Sequence, residues 1–376
     1  MNRSLRRELP VRMVRAVGVA LVGLALGCST DPAQVAPGLD GGQSDEAGVG
    51  DVGDTMDAGG DATADATTDA AADVTPDATD LQDARPSPPP PCSVADEYRA
   101  TDLGPVIRWQ DVPGLASGAT IADNTSYLMA DGRVRLYFWT NLGRDVANGV
   151  RSAVSADGVG FEVEDGFRIS GPYGHPKRLE IDGGIRMFHL VIGGVGSSWS
   201  PDGLNFTHED GLRLANAATG LDRTGGVSVI PVSDGGYRAY FSDLGRPGVP
   251  PSPTRLMSAR SPDSLLWTLD EGVRIGEDAP HLTSWSRQPF ALTRGGACVT
   301  LFYYQLQSLP TRIAYATALD GMTFTEERLL DLAGYRGPQA GPNVQPLADG
   351  SLMLYYDAMD PDIGNHLRAA RLVLTD

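Results

Sequence analysis

The sequence predicts an all-β protein: a five-bladed β-propeller of four-stranded antiparallel blades, preceded by a targeting segment and an acidic stalk. Three observations predict it. A strand-turn-strand pattern recurs at Ser152–Phe161, Ser198–Phe206, Ser258–Trp267 and Ala316–Phe324, each with an aromatic four residues after an Asp. A second hairpin pattern recurs five times, at Tyr127–Phe138, Leu179–His189, Val229–Phe241, Phe290–Tyr304 and Val344–Tyr356. The two joined make a four-stranded meander of about 50 residues, the size of a propeller blade.

In chain order, residues 1–27 come first. Arg3, Arg6, Arg7, Arg12 and Arg15 form a basic head, and Ala16–Leu26 is an apolar run too short to cross a bilayer comfortably. Leu24-Ala-Leu-Gly-Cys28 follows. It resembles the bacterial lipoprotein signal, which implies cleavage before Cys28 and acylation of that residue. Ser29 stands where an Asp would imply inner-membrane retention, so outer-membrane sorting is expected. The other readings are an ordinary secretory signal or an uncleaved anchor. Several acyl chains would meet the requirement for stable attachment.

Residues 28–91 are a stalk of low complexity. It carries thirteen Asp, one Glu and one Arg, a net charge of −13, and no aromatic occurs before Tyr98. Such a segment cannot bury enough apolar surface to offset ordering, so disorder is expected. Asp61, Asp65, Asp69, Asp73 and Asp77 recur every four residues and would repel along a helix face. No calcium-loop pattern is present, so a self-repelling spacer is expected. Pro86-Ser-Pro-Pro-Pro-Pro91 stiffens its end as polyproline II.

Residues 92–376 form the propeller. Its net charge of −9 presents no basic surface for nucleic acid. Asp-Gly is a tight-turn dipeptide: Asp caps the turn with its carboxylate and Gly takes the positive φ. The aromatic after it is expected to fold back over its own hairpin. Blade five ends after three strands, so Val106–Trp109 is expected to supply the fourth and remove an open edge. Cys92 and Cys298 are either a disulfide, which an oxidising envelope permits, or two separate thiols.

The starts of the inner strands open into a funnel, and residues there are the functional candidates. These are Asp123 and Asn124; Tyr173, His175 and Lys177; Asp222 and Arg223; Trp285, Arg287 and Gln288; and Arg336, Gln339 and Asn343. Planar Arg and amide groups pair with hydroxyls and Trp stacks on sugar rings, so a carbohydrate ligand is expected. The alternative is a water-filled channel closed by structural hydrogen bonds.

Five blades with a Ser-x-Asp-Gly-x-x-aromatic turn and the hairpin Gly236-Tyr-Arg-Ala-Tyr240 resemble the five-bladed glycosidases of the arabinanase, levansucrase and invertase type. The resemblance implies an inner-strand Asp as base or nucleophile, a supporting Asp and a Glu acid. Asp123 matches the first position and Asp222 stands for the second. Glu277 and Asp278 are the nearest acids for the third, and neither matches its place. Hydrolysis needs two carboxyls flanking the scissile bond. Two functions therefore stay open: a glycan-active enzyme, and a non-catalytic module binding a glycan or a protein loop.

His175, His189, His208, His281 and His366 show no zinc-site spacing, and neither a Gly-x-Ser-x-Gly elbow nor a phosphate loop occurs. No metal and no cofactor is expected. The partners expected are a carbohydrate in the funnel, with His175, Arg223, Trp285, Arg287, Gln288 and Asn343 binding it, and a membrane through the lipid on Cys28; a monomer is expected.

Overall fold

Five antiparallel sheets stand around one axis in the structure, a computed structural model that describes residues 92–141, 148–221, 223–245, 254–276, 286–305 and 310–375. The signal, Cys28 and the stalk lie outside the described residues. Blade one comprises Thr120–Leu128, Val134–Asn141, Gly149–Ser155 and Glu162–Val163, from inside outwards. Blade two runs Gly174–Ile181, Gly184–Val191, Gly194–Ser200 and Thr207–Ala215. Blade three runs Thr224–Pro231, Tyr237–Asp243, Arg255–Ser261 and Thr268–Leu269. Blade four runs Ser286–Thr293, Val299–Gln305, Arg312–Ala318 and Glu327–Leu329. Among the described residues the helical content is Asn216–Thr219 and the 3-10 turn Trp109–Asp111.

Blade five closes the ring. Gln339–Pro346, Leu352–Asp360 and Gly364–Thr375 are joined by Glu97–Ile107, antiparallel to the last of them. The closing strand therefore begins nine residues ahead of the expected Val106 and stops short of Trp109, which sits in the 3-10 turn. Register breaks at Asp102/Gly104 and Pro105/Ile107 blur its alternation. Asp331–Ala333 adds a parallel edge to it. Each inner strand packs against the inner strands of both neighbouring blades, so the circle is complete.

The second strands are covered on both faces and read as near-continuous apolar runs. Val299–Gln305 is buried at every position. The repeated turns explain how neighbouring blades lock. The carboxylates of Asp157, Asp202, Asp263 and Asp320 each accept two backbone N–H groups, at 2.7–2.9 Å. Gly158, Gly203 and Gly321 follow three of them at φ +75°, +69° and +67°. Their carbonyls accept the hydroxyls of Tyr355, Tyr137 and Tyr240, each from the preceding blade, at 2.9, 2.8 and 2.7 Å.

The aromatic after each turn packs on the same ring. Phe161 meets Tyr355, Phe206 meets Tyr137 and Phe324 meets Tyr240, edge to face, with centroids 5.7–6.2 Å apart. The aromatic thus seals the joint with the preceding blade, in place of the expected fold back over its own hairpin. Between blades two and three the pair is changed on both sides. Phe188 replaces the Tyr and Ser264 the Gly, at φ +63°, and an Arg186 guanidinium nitrogen donates to Ser264 Oγ. Between blades four and five, Tyr98 of the closing strand packs edge-on against Phe302 at 5.2 Å.

A second device recurs one residue ahead of the acidic-Gly pair. Glu164, Glu209 and Asp270 pair with Arg135, Arg186 and Arg238 at 2.9, 2.8 and 3.3 Å. Ser152, Ser197 and Ser258 donate to the same acids at 2.6, 2.7 and 2.6 Å. Cys92 is bonded to Cys298, with Cα atoms 6.4 Å apart. Arg294 pairs with Asp96 beside it.

Candidate functional site

The inner strands break register near their starts in every blade. The breaks fall between Ala122 and Thr125, Gly174 and Lys177, Thr224 and Val227, Arg287 and Phe290, and Ala340 and Asn343. In four blades the break carries a left-handed residue: Asp123 at φ 57°, His175 at 53°, Gln288 at 51° and Gly341 at 51°. Gly225 holds the corresponding place in blade three. Pro176, Pro289 and Pro342 come next in three blades, where a bulge leaves no N–H to pair. A left-handed non-glycine residue costs on the order of 1–3 kcal/mol, and such strain gathers where a side chain must be aimed.

Side chains from the preceding blade stabilise two of these turns. The Asp123 N–H donates to both Asp357 carboxylate oxygens, at 3.1 and 3.0 Å. The Gln288 N–H donates to Ser242 Oγ at 3.0 Å. Asn124 Nδ2 donates to Asp357 Oδ1 at 3.1 Å and to the Gly341 carbonyl at 2.9 Å. Glycine is required at 341, since a Cβ there would sit 2.2 Å from an Asp357 oxygen.

Three side chains meet at the funnel floor. Gln288 Nε2 donates to Asp123 Oδ1 at 2.5 Å and lies 2.6 Å from His175 Nδ1. His175 Nδ1 is 2.9 Å from the same Asp123 oxygen. The His175 side chain is 22% exposed against 7% for Asp123, so the imidazole is the solvent-facing member. Behind them Lys177 Nζ donates to the Asn124 carbonyl at 2.6 Å.

The ionisable groups are driven apart. Burial opposes ionisation of Asp123, but His175, Lys177 and the Gln288 hydrogen bond hold its carboxyl below the usual range. Burial pushes Lys177 down to about 8, against the attraction of Asp357 and Asp123. Burial and the Asp123 charge push Asp357 up to about 8. Burial raises Tyr304 to about 12, with Arg287 beside it pulling the other way.

The structure brings Asp123, His175 and Gln288 into contact and leaves Arg223 and Arg287 half-buried at the same end. Asn343 lies deeper. It is 1% exposed, and its Nδ2 donates to Ser126 Oγ at 2.6 Å across the joint between blades five and one, where Ser126 in turn donates to Gln345 at 2.9 Å. Asp222, Trp285, Glu277 and Asp278 lie outside the described residues. Among the described residues no Glu stands on the funnel end of an inner strand. Asp357 was not among the expected residues, because it lies on a second strand. Its signal was a lone acid closing the otherwise apolar run Leu352-Met-Leu-Tyr-Tyr-Asp357.

No protein-family model matches the chain, and no curated protein matches it in sequence. Solved structures do match in fold. One is a glycoside hydrolase at 12% identity and TM-score 0.56, covering 73% of this chain and 92% of the other. Another is Zg3597, a family 117 glycoside hydrolase from the marine bacterium Zobellia galactanivorans, at 12% identity and TM-score 0.54, covering 74% and 91%. A third is an endo-arabinase from Bacteroides thetaiotaomicron VPI-5482, at 13% identity and TM-score 0.53, covering 73% and 99%. The chain therefore has the fold of the propeller glycoside hydrolases.

Proposed function

We propose that the funnel end of this propeller binds a carbohydrate, with Asp123, His175 and Gln288 as its polar floor. The observation that carries this reading is the convergence of those three side chains from three blades on left-handed backbone. An ionised carboxylate, an imidazole and an amide together offer the acceptors and donors that sugar hydroxyls need. The glycoside hydrolases and the endo-arabinase that share the fold support a sugar ligand. Fold alone does not carry an activity. The test is calorimetry of the protein against a panel of neutral and charged oligosaccharides. Saturable binding that Asp123→Ala weakens at least about tenfold supports the reading. Unchanged binding in Asp123→Ala moves the ligand elsewhere.

A second reading is hydrolysis, with Asp123 as base or nucleophile. It is favoured by the opposed shifts of Asp123 and Asp357, the kind of split that assigns acid and base roles. Asp357 lies behind Asp123, against its own N–H, so a proton donor across the sugar must come from another residue. Release of reducing ends from the panel, lost in Asp123→Asn, would establish this reading.

The anchor belongs to the same proposal. Acylated Cys28 would fix the chain to the outer membrane, with the acidic segment as spacer and the propeller acting as a monomer. Incorporation of a labelled fatty acid that Cys28→Ala abolishes is the expected result. Labelling that persists in Cys28→Ala would refute it.

A further inference from the structure

We infer that the ligand of the funnel is an anionic sugar, carboxylated or sulfated; this rests on the carbohydrate reading above. The domain is acidic overall, yet its arginines are unevenly partnered. Eleven arginines among the described residues pair with a carboxylate. Arg99, Arg108, Arg151, Arg168, Arg213 and Arg274 have no carboxylate partner among the described residues, and neither do Arg223, Arg287, Arg312 and Arg336, which all stand at the funnel end. Arg223 immediately precedes the inner strand of blade three, and Arg287 is the second residue of that of blade four. Arg312 opens the third strand of blade four, and Arg336 stands three residues ahead of the inner strand of blade five.

At the opposite end the arginines are partnered: Arg135, Arg186 and Arg238 meet Glu164, Glu209 and Asp270. The turn aspartates Asp157, Asp202, Asp263 and Asp320 all lie there, at the far ends of the third strands. The Nε atoms of both Arg223 and Arg287 are buried without a hydrogen-bond partner, as are those of Arg151, Arg168, Arg213, Arg238 and Arg274. A buried guanidinium nitrogen left unmatched is costly, and a planar oxyanion satisfies a guanidinium through two parallel bonds. On the floor, Lys177 stays cationic below a pH of about 8, while burial suppresses the charge of Asp357 up to about the same pH. A neutral sugar would leave this excess of cations unanswered; a uronate carboxylate or a sulfate ester answers it.

The test titrates the full-length protein by calorimetry with oligogalacturonate, its methyl ester, a sulfated galactan oligosaccharide and its desulfated form. The expected result is that one charged probe binds at least about tenfold tighter than its neutral counterpart. Whichever pair shows the gap tells carboxylate from sulfate. Arg223→Gln and Arg287→Gln should each shrink the gap, and Arg287→Lys should retain part of it. Thermal unfolding of each variant checks the fold, and Arg336→Gln, at an exposed position, repeats the test without touching buried structure. Equal binding of charged and neutral probes would overturn the inference and leave the carbohydrate reading standing. Binding of none of the four would overturn both. Tighter binding of a DNA oligonucleotide than of any sugar would replace the glycan with a nucleic-acid polyanion.

Discussion

The Asp123 N–H reaches both carboxylate oxygens of Asp357, 234 residues later in the chain, at 3.1 and 3.0 Å. This contact crosses the joint where blade five meets blade one. It ties the residue at the funnel floor to the closure of the ring. A left-handed Asp is stable there because the reversed amide finds an acceptor that only a closed circle supplies.

Asp357 should make stability depend on pH. Its folded pKa is raised from 3.8 to about 8, so the folded chain keeps a proton there that the unfolded chain has lost. The folded state binds more protons across that window, and the stability contributed by this group falls as pH rises through it. Asp357→Asn removes this dependence while keeping an acceptor for Asp123. Melting temperatures from pH 4 to 8 should therefore show the variant gaining on the wild type as pH rises, the range being that of the shift. Parallel curves would contradict the shift.

The joint between blades two and three is a paired exception. Where a Gly faces a Tyr in three joints, Ser264 here faces Phe188. Phe188→Tyr should press a hydroxyl onto Ser264 and destabilise the fold by about 1–3 kcal/mol, as overpacking does. Adding Ser264→Gly rebuilds the arrangement of the other joints and should recover most of that loss. Urea denaturation of the double-mutant cycle reads a coupling of about 0.5–3 kcal/mol. Strictly additive changes would show that the two positions do not communicate.

Glycines at left-handed turns should differ in tolerance according to what lies over them. A Cβ at Gly203 would sit 2.6 Å from Tyr137 Oη, whereas one at Gly132 meets nothing within 4 Å. Both take positive φ, +69° and +84°. Gly203→Ala should therefore cost more stability than Gly132→Ala, by on the order of 1 kcal/mol or more. Denaturant midpoints of the two variants measure the difference.

Much of the fold was legible because its signals are local. An Asp with its carboxylate over the next turn and an aromatic four residues on can be seen in any one copy, and five hairpins count five blades. What the aromatic touches was not legible, since Phe206 meets Tyr137 across a blade boundary that no spacing records. The closing strand was placed too late because Gly104 and Pro105 interrupt it and two register breaks hide its alternation. Asp123, His175 and Gln288 could be singled out as polar residues opening inner strands. Their mutual contact depends on left-handed φ values that composition does not announce. Asp357 escaped because buried second strands were read as packing alone.

The Cys92–Cys298 bond links residues 206 apart, and closing so long a loop is worth about 2–5 kcal/mol. Cys298→Ala should lower stability by that amount, and Cys92→Ala by the same, since one bond is lost either way. Two free thiols titrating in the folded, unreduced protein would refute the pairing.

The closing strand starts at Glu97 beside the inner hairpin turn of blade four, at the end of the propeller away from the funnel. Force applied to residue 92 would otherwise peel that strand from its neighbour one hydrogen bond at a time, the weakest way to load a sheet. With Cys92 bonded to Cys298, the pull is carried into blade four instead, and the strand that completes the circle bears no tension. Single-molecule stretching from the N-terminal side should find that a reducing agent lowers the rupture force, with the first extension matching release of the closing strand Glu97–Ile107.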